Sequence, residues 1–200
     1  MNQHLRHCAA AAGLLLMTAT ASAATYTAIL TGPKESPANT SPGIGAAVVA
    51  FDAATHVLEV DVAFSGLLGP STASHIHCCT AMADGGTAGI ATETPTFGGF
   101  PMGVMNGAYS NTYNTSLASS WNPAFISSHG GTIAGAEKAF GAGLASGEAY
   151  LNIHTSKYPA GEIRGFLVAA PVPEPAMLGM LGLGVPVVLL MARRRRKQAD

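Results

Sequence analysis

Three stretches near the start of the chain alternate apolar and polar residues with a period of two, the pattern of half-buried strands. Thr25 to Thr31 sets Tyr26, Ala28 and Leu30 on one side and threonines on the other. Ile44 to Phe51 aligns Ala47, Val49 and Phe51. Val57 to Phe64 aligns Leu58, Val60, Val62 and Phe64, leaving Glu59 and Asp61 on a solvated face. Gly32-Pro33, the loop from Glu35 to Gly43 and the turn Asp52-Ala53-Ala54-Thr55 punctuate these runs. A fourth strand is predicted over Thr72 to Cys78, and two more over Gly147 to Thr155 and Glu162 to Ala169. From Thr80 to Ser120 the periodicity fails, and Gly85-Gly86, Pro95, Gly98-Gly99 and Pro101 predict a long loop excursion with one short strand around Thr87 to Thr92. Asn122-Pro123 reads as the cap and first position of a helical turn to Ser127. Thr132 reads as the cap of a short helix through Leu144, although Gly135, Gly141 and Gly143 each oppose it by about 1 kcal/mol. Short strands close to their neighbours in sequence predict an all-β, mainly antiparallel sandwich.

The two ends carry a different pattern. Arg6 with His4 and His7, the apolar run Ala9 to Thr20 and the small residues Ala21-Ser22-Ala23 read as a signal peptide over 1–23, cut between Ala23 and Ala24. At the other end, Ala176 to Ala192 is continuously apolar and is followed by Arg193, Arg194, Arg195, Arg196 and Lys197. Seventeen helical residues cover about 25 Å, short of a hydrocarbon core of about 30 Å by a margin that snorkelling arginines can span. The cation cluster sets that end in the cytoplasm and the domain outside. Pro173-Glu174-Pro175, transmembrane helix and arginine cluster together resemble the PEP-CTERM sorting signal, here spanning 171–200. The resemblance implies an exosortase-type membrane protease as processing partner, and a mature protein at the cell surface or in the extracellular matrix. A plain single-span anchor is the alternative.

The segment between these ends is the domain proper, 24–170. It holds nine acids against four bases, a net −5 that the near-neutral whole chain conceals. Nucleic acid and anionic membrane surfaces are therefore excluded as partners of the domain, since both need clustered cations.

The densest chemistry lies in Ser74-His75-Ile76-His77-Cys78-Cys79. Alternation on a strand puts His75 and His77 on one face, about 6.5–7 Å apart, a spacing that suits two ligands of one metal. His154 shares a face with Asn152 and Tyr150 and offers a third ligand, and His129 a fourth from a loop. Histidines without a carboxylate suit copper or zinc. The competing expectation is no cofactor, with neutral histidines hydrogen-bonded to one another or to Glu148 and Glu162. His56 reads as a turn residue without a partner. In an exported protein Cys78 and Cys79 do not stay reduced. They close a vicinal disulfide, bridge to another chain, or act as thiolates beside His77. Glu162 and Arg164 read as a structural ion pair, and a hydrolase working through His154 and Glu162 is a third option. Tyr109, Tyr113 and Trp121 are either core or a platform for sugar rings.

Four ordered motifs are similar to those of the CHRD domain, the module named after chordin. They are Leu30-Thr31-Gly32-Pro33-Lys34-Glu35-Ser36-Pro37, Ser74-His75-Ile76-His77, Tyr150-Leu151-Asn152-Ile153-His154-Thr155 and Gly161-Glu162-Ile163-Arg164-Gly165. The resemblance spans Thr25 to Ala169 and implies an immunoglobulin-like β-sandwich without catalytic activity. The expectation that follows is a non-enzymatic surface module that binds or scaffolds in the polysaccharide matrix, with metal binding as the alternative. The Cys78-Cys79 pair is not part of the family pattern, and the Thr80 to Ser120 excursion is longer than the motif spacing requires.

Overall fold

The computed structural model describes residues 23–171. The predicted signal peptide up to Ser22, and the C-terminal motif with its apolar run and arginines, lie outside the described residues. Among the described residues there are eight strands: β1 (Ala24–Thr31), β2 (Ile44–Asp52), β3 (Val57–Ser65), β4 (Ser71–His77), β5 (Gly107–Asn114), β6 (Tyr150–Thr155), β7 (Ile163–Phe166) and β8 (Val168–Ala169). Two helices, α1 (Pro123–Ser128) and α2 (Ile133–Ala145), stand between β5 and β6 where the prediction has one short helix after a helical turn. Both caps act as predicted: Asn122 accepts from Ala124 N–H, and Thr132 from Gly135 N–H. Among the described residues no helix is long and apolar enough to cross a membrane.

All strand pairs are antiparallel, and one hydrogen-bonded path runs β4-β6-β7-β1-β2-β3-β5 with β8 also on β1. The all-β antiparallel expectation holds, and the strands form one hydrogen-bonded curled sheet. The reason lies at the last strand. β7 pairs with β6 and meets β1 through Thr31 and Arg164, and beyond Leu167 its continuation β8 pairs with β1 at Tyr26 and Thr27. One stretch of chain thus stitches both halves into a single curled sheet.

The halves bury different things. In β1, β2 and β3 alternate residues enter the core, among them Leu30, Val49 and Val60, each fully buried, while Glu59 and Asp61 are exposed as predicted. In β4, β6 and β7 nearly every residue is buried, so both faces are covered. The inner face presents Ile76, Leu151, Ile153 and Ile163 to the core. The outer face carries His75, His77, Tyr150, Asn152, His154 and Arg164, and loops close over it. The predicted excursion is that cover. Its backbone follows the β4 edge through Ala91 N–H to Ile76 O, Phe97 N–H to Ser74 O and Gly103 N–H to Ser71 O, which also shields the edge from stray pairing. The short strand predicted around Thr87 to Thr92 is reduced to isolated bridges at Ile90 and Thr92. β5 is a strand the periodicity does not predict.

Candidate metal centre

Antiparallel register assembles the cluster. His75 and His77 point outward from β4, and Ala73 faces His154 on β6, so His154 reaches diagonally across the strand boundary toward both. The ring centroids of His75 lie 5.9 Å from His77 and 5.3 Å from His154, and those of His77 and His154 are 6.0 Å apart. One nitrogen from each ring falls in a group whose members all lie within 4.8 Å of one another.

The cover loops decide which nitrogens carry the protons. His75 Nε2 donates to Pro95 O at 2.6 Å, His77 Nδ1 to Ala88 O at 2.9 Å and His154 Nδ1 to Pro159 O at 2.9 Å. A carbonyl oxygen only accepts, so each of these nitrogens carries the proton and the opposite nitrogen of the neutral ring holds a lone pair. Those opposite atoms, His75 Nδ1, His77 Nε2 and His154 Nε2, are buried and have no hydrogen-bond partner. A buried acceptor without a partner is costly, and here three neighbouring rings each carry one. Burial holds all three imidazoles below the ordinary histidine range, His77 down to about 4, so the rings are neutral at physiological pH. His77 also stacks on Tyr150 at 4.8 Å, which fixes its plane.

Behind the cluster lies a second set of polar residues. Arg164, the cross-strand partner of Asn152, donates Nε–H to Lys34 O and Nη1–H to Gly86 O at 3.1 Å, and stacks over Tyr150 at 4.7 Å. Glu35 comes within 3.9 Å of Arg164 Nε. Burial pushes the Glu35 carboxyl up to about 7, against the opposing pull of Arg164, the Ser36 N–H and Asn152. Glu35 Oε1 and Asn152 Oδ1 are buried and unpartnered as well.

Other predicted residues fall elsewhere. Cys78 and Cys79 form a vicinal disulfide. It packs against α2 at Gly143, where a Cβ would overlap both sulfurs. The cysteines are therefore not free thiolate ligands. His129 caps the end of α1, its Nδ1 donating to Phe125 O at 2.8 Å, away from the cluster. Glu162 does not pair with Arg164. Burial alone would raise its carboxyl, but Ser41 and Thr155 hydroxyls and the Leu68 and Gly69 N–H groups donate to it and hold it below the usual range. Both its oxygens are taken, which leaves it no lone pair committed to His154. Glu148 contributes through its backbone carbonyl, to Thr80. His56 does have a partner, Glu137, at 2.9 Å. Trp121 is 2 % exposed and stacks on Phe125 and against Phe140, and Tyr109 packs on Phe97 and Phe100, so these rings are core rather than a sugar platform.

The family model of the CHRD domain matches residues 26–167. The chain belongs to the CHRD family. Behind the CHRD domain, the PEP-CTERM protein-sorting motif matches residues 171–197, which implies export, membrane anchoring, processing by an exosortase and sorting to the surface. Neither the curated proteins nor the solved structures yield a match to this chain. Glu35, Asn152 and Arg164, which sequence reading left outside the site, come from three of the motifs that mark the CHRD domain, and their shared origin was the available signal.

Proposed function

We propose that the exported CHRD domain is a surface-sorted metal-binding module that takes one copper or zinc ion on His75 Nδ1, His77 Nε2 and His154 Nε2. One observation carries this reading: three neutral imidazoles with ligand atoms within 4.8 Å of one another each keep a buried, unpartnered nitrogen, while their other nitrogens donate to backbone carbonyls. Carbonyl-held tautomers are how proteins orient metal-binding histidines. Hydrogen bonding among the histidines, the competing explanation, would require a donor in the shared space, and all three donors are spent on carbonyls. Three imidazoles and no carboxylate favour copper or zinc over harder ions, and three protein ligands leave an open coordination position.

The domain is read as a binding protein and not an enzyme. Glu162, the carboxylate that a hydrolase working with His154 would use, is saturated by four donors and held below the usual range. Scaffolding in the matrix loses its aromatic support with Trp121 in the core. Metal analysis of protein purified without chelator tests the reading. About one equivalent of copper or zinc is expected, lost in His75→Ala and in His77→Ala. Metal-free protein that also fails to take up either ion with better than micromolar affinity would end it.

A further inference from the structure

The Cys78–Cys79 disulfide is not a staple of the fold. A disulfide steadies a protein chiefly by closing a loop of the unfolded chain, and a bridge between adjacent residues closes none. Nor is the pair sealed into the core. β4 ends at His77, and beyond it a pocket of about 370 Å³ opens between the cysteines, the stretch around Gly89 and helix α1. Cys78, Cys79, Gly89, Asn122, Phe125 and His129 line it, and no Asp, Glu, Lys or Arg does. The two cysteines differ in access: Cys78 is 4 % exposed, whereas Cys79 is half-buried. Helix α2 blocks approach from its own side, since even a Cβ added at Gly143 would overlap both sulfurs. The open route to the pair is the pocket.

A volume at the low end of small-molecule sites, about 300–1,000 Å³, admits a small thiol but no protein domain. The lining suits the same visitor. Disulfide exchange is carried by a thiolate, which the domain's net −5 would repel, yet no carboxylate lines this pocket. His129 on its wall donates Nδ1–H to Phe125 O at 2.8 Å, which leaves Nε2 as the acceptor of that ring. We propose that the pocket is an exchange site for a low-molecular-weight thiol, which opens the Cys78–Cys79 disulfide in the folded protein. The thiolate forms a bond to Cys79 Sγ and the Cys78–Cys79 bond breaks. Cys78 leaves as a thiolate and takes up the proton that the incoming thiol gave up. A second thiol then displaces Cys79, which also ends as a thiol. The two visitors depart joined by their own disulfide, two electrons having passed to the protein. The exchange needs no metal.

The test treats the oxidised wild-type protein with glutathione under native conditions, quenches in acid, alkylates, and counts alkylated Cys78 and Cys79 by peptide mass spectrometry. Both cysteines are expected to become alkylated much faster than the protein unfolds globally. Gly89→Leu adds a side chain where a Cβ meets nothing within 4 Å, so it narrows the pocket without overlap. It is expected to slow native opening about tenfold or more, and Ala124→Phe, from the α1 wall, to do the same. In strong urea, where no pocket exists, all three proteins should react alike. A variant that failed to fold would react faster, so misfolding does not mimic the expected slowing. Wild-type opening no faster than global unfolding, or native rates unchanged in both variants, overturns the proposal. Slowing that persists in urea overturns it as well, because reactivity and not access would then have changed.

Discussion

At the residue scale the buried histidines and Glu35 pull stability in opposite directions with pH. His75, His77 and His154 are held below the ordinary value of 6.5, His77 at about 4, because burial disfavours the charged ring. Between those limits the unfolded chain binds more protons than the native protein. The contribution is therefore fully present above about 6.5 and is lost as pH falls toward 4. Glu35 is raised from 4.5 to about 7, so the native protein holds the extra proton there and stability falls as pH rises through that interval. Glu35→Gln removes the second effect. The urea midpoint of the metal-free variant is expected to fall monotonically from pH 7 to pH 4, and the wild type to change less over the upper half of that range. Identical profiles would mean that Glu35 does not titrate in this window. Metal follows the same logic. Protons compete for the three lone pairs, but depressed proton affinity delays that competition, so bound copper or zinc should persist below pH 6 and be released further into acid.

At the element scale the packing of α2 yields a reversal of an ordinary rule. Replacing a mid-helix glycine by alanine usually stabilises by about 1 kcal/mol. At Gly143 the new methyl would overlap the sulfurs of the vicinal disulfide, both held against the helix. Gly143→Ala is therefore expected to destabilise by about 1–3 kcal/mol, measured by denaturant unfolding. A stabilised variant would show that the disulfide does not pack there. Trp121→Ala should cost about 3–5 kcal/mol, as for any aromatic removed from a core, and this loss separates a core role from a sugar-binding one. Why some elements were legible follows from the same packing. β1, β2 and β3 bury one face each, so their alternation is written in the sequence. β5 is Gly-Ala-Tyr-Ser-Asn-Thr-Tyr-Asn, and with Tyr109 as its one buried side chain it offers almost no apolar rhythm. The convergence of His75 and His77 was readable from their spacing on a strand, and His154 from its motif. The cover was not, because it closes through the backbone carbonyls of Ala88, Pro95 and Pro159, which any residue would supply. The pairing of Arg164 with Glu35 rather than Glu162 depends on a loop 130 residues away in sequence, where Lys34 O takes the guanidinium.

At the scale of the whole molecule, a sorting motif at 171–197 follows a domain at 26–167 with almost no spacer. Replacing Pro173, Glu174 and Pro175 by alanine should leave folding and metal content unchanged while blocking processing, so that the uncut form accumulates in the membrane fraction on immunoblots. Equal release of the variant would mean that the motif does not direct sorting. One curled sheet serves the exported part in two ways: its β1–β3 half supplies an apolar core, and its β4–β6–β7 half presents a covered polar face. The most direct measurement of what that face holds is an anomalous-scattering map from crystals grown with Cu(II) or Zn(II). A single strong peak is predicted, about 2.0–2.1 Å from His75 Nδ1, His77 Nε2 and His154 Nε2. Peaks confined to exposed residues, or bonds through the opposite ring nitrogens, would contradict it.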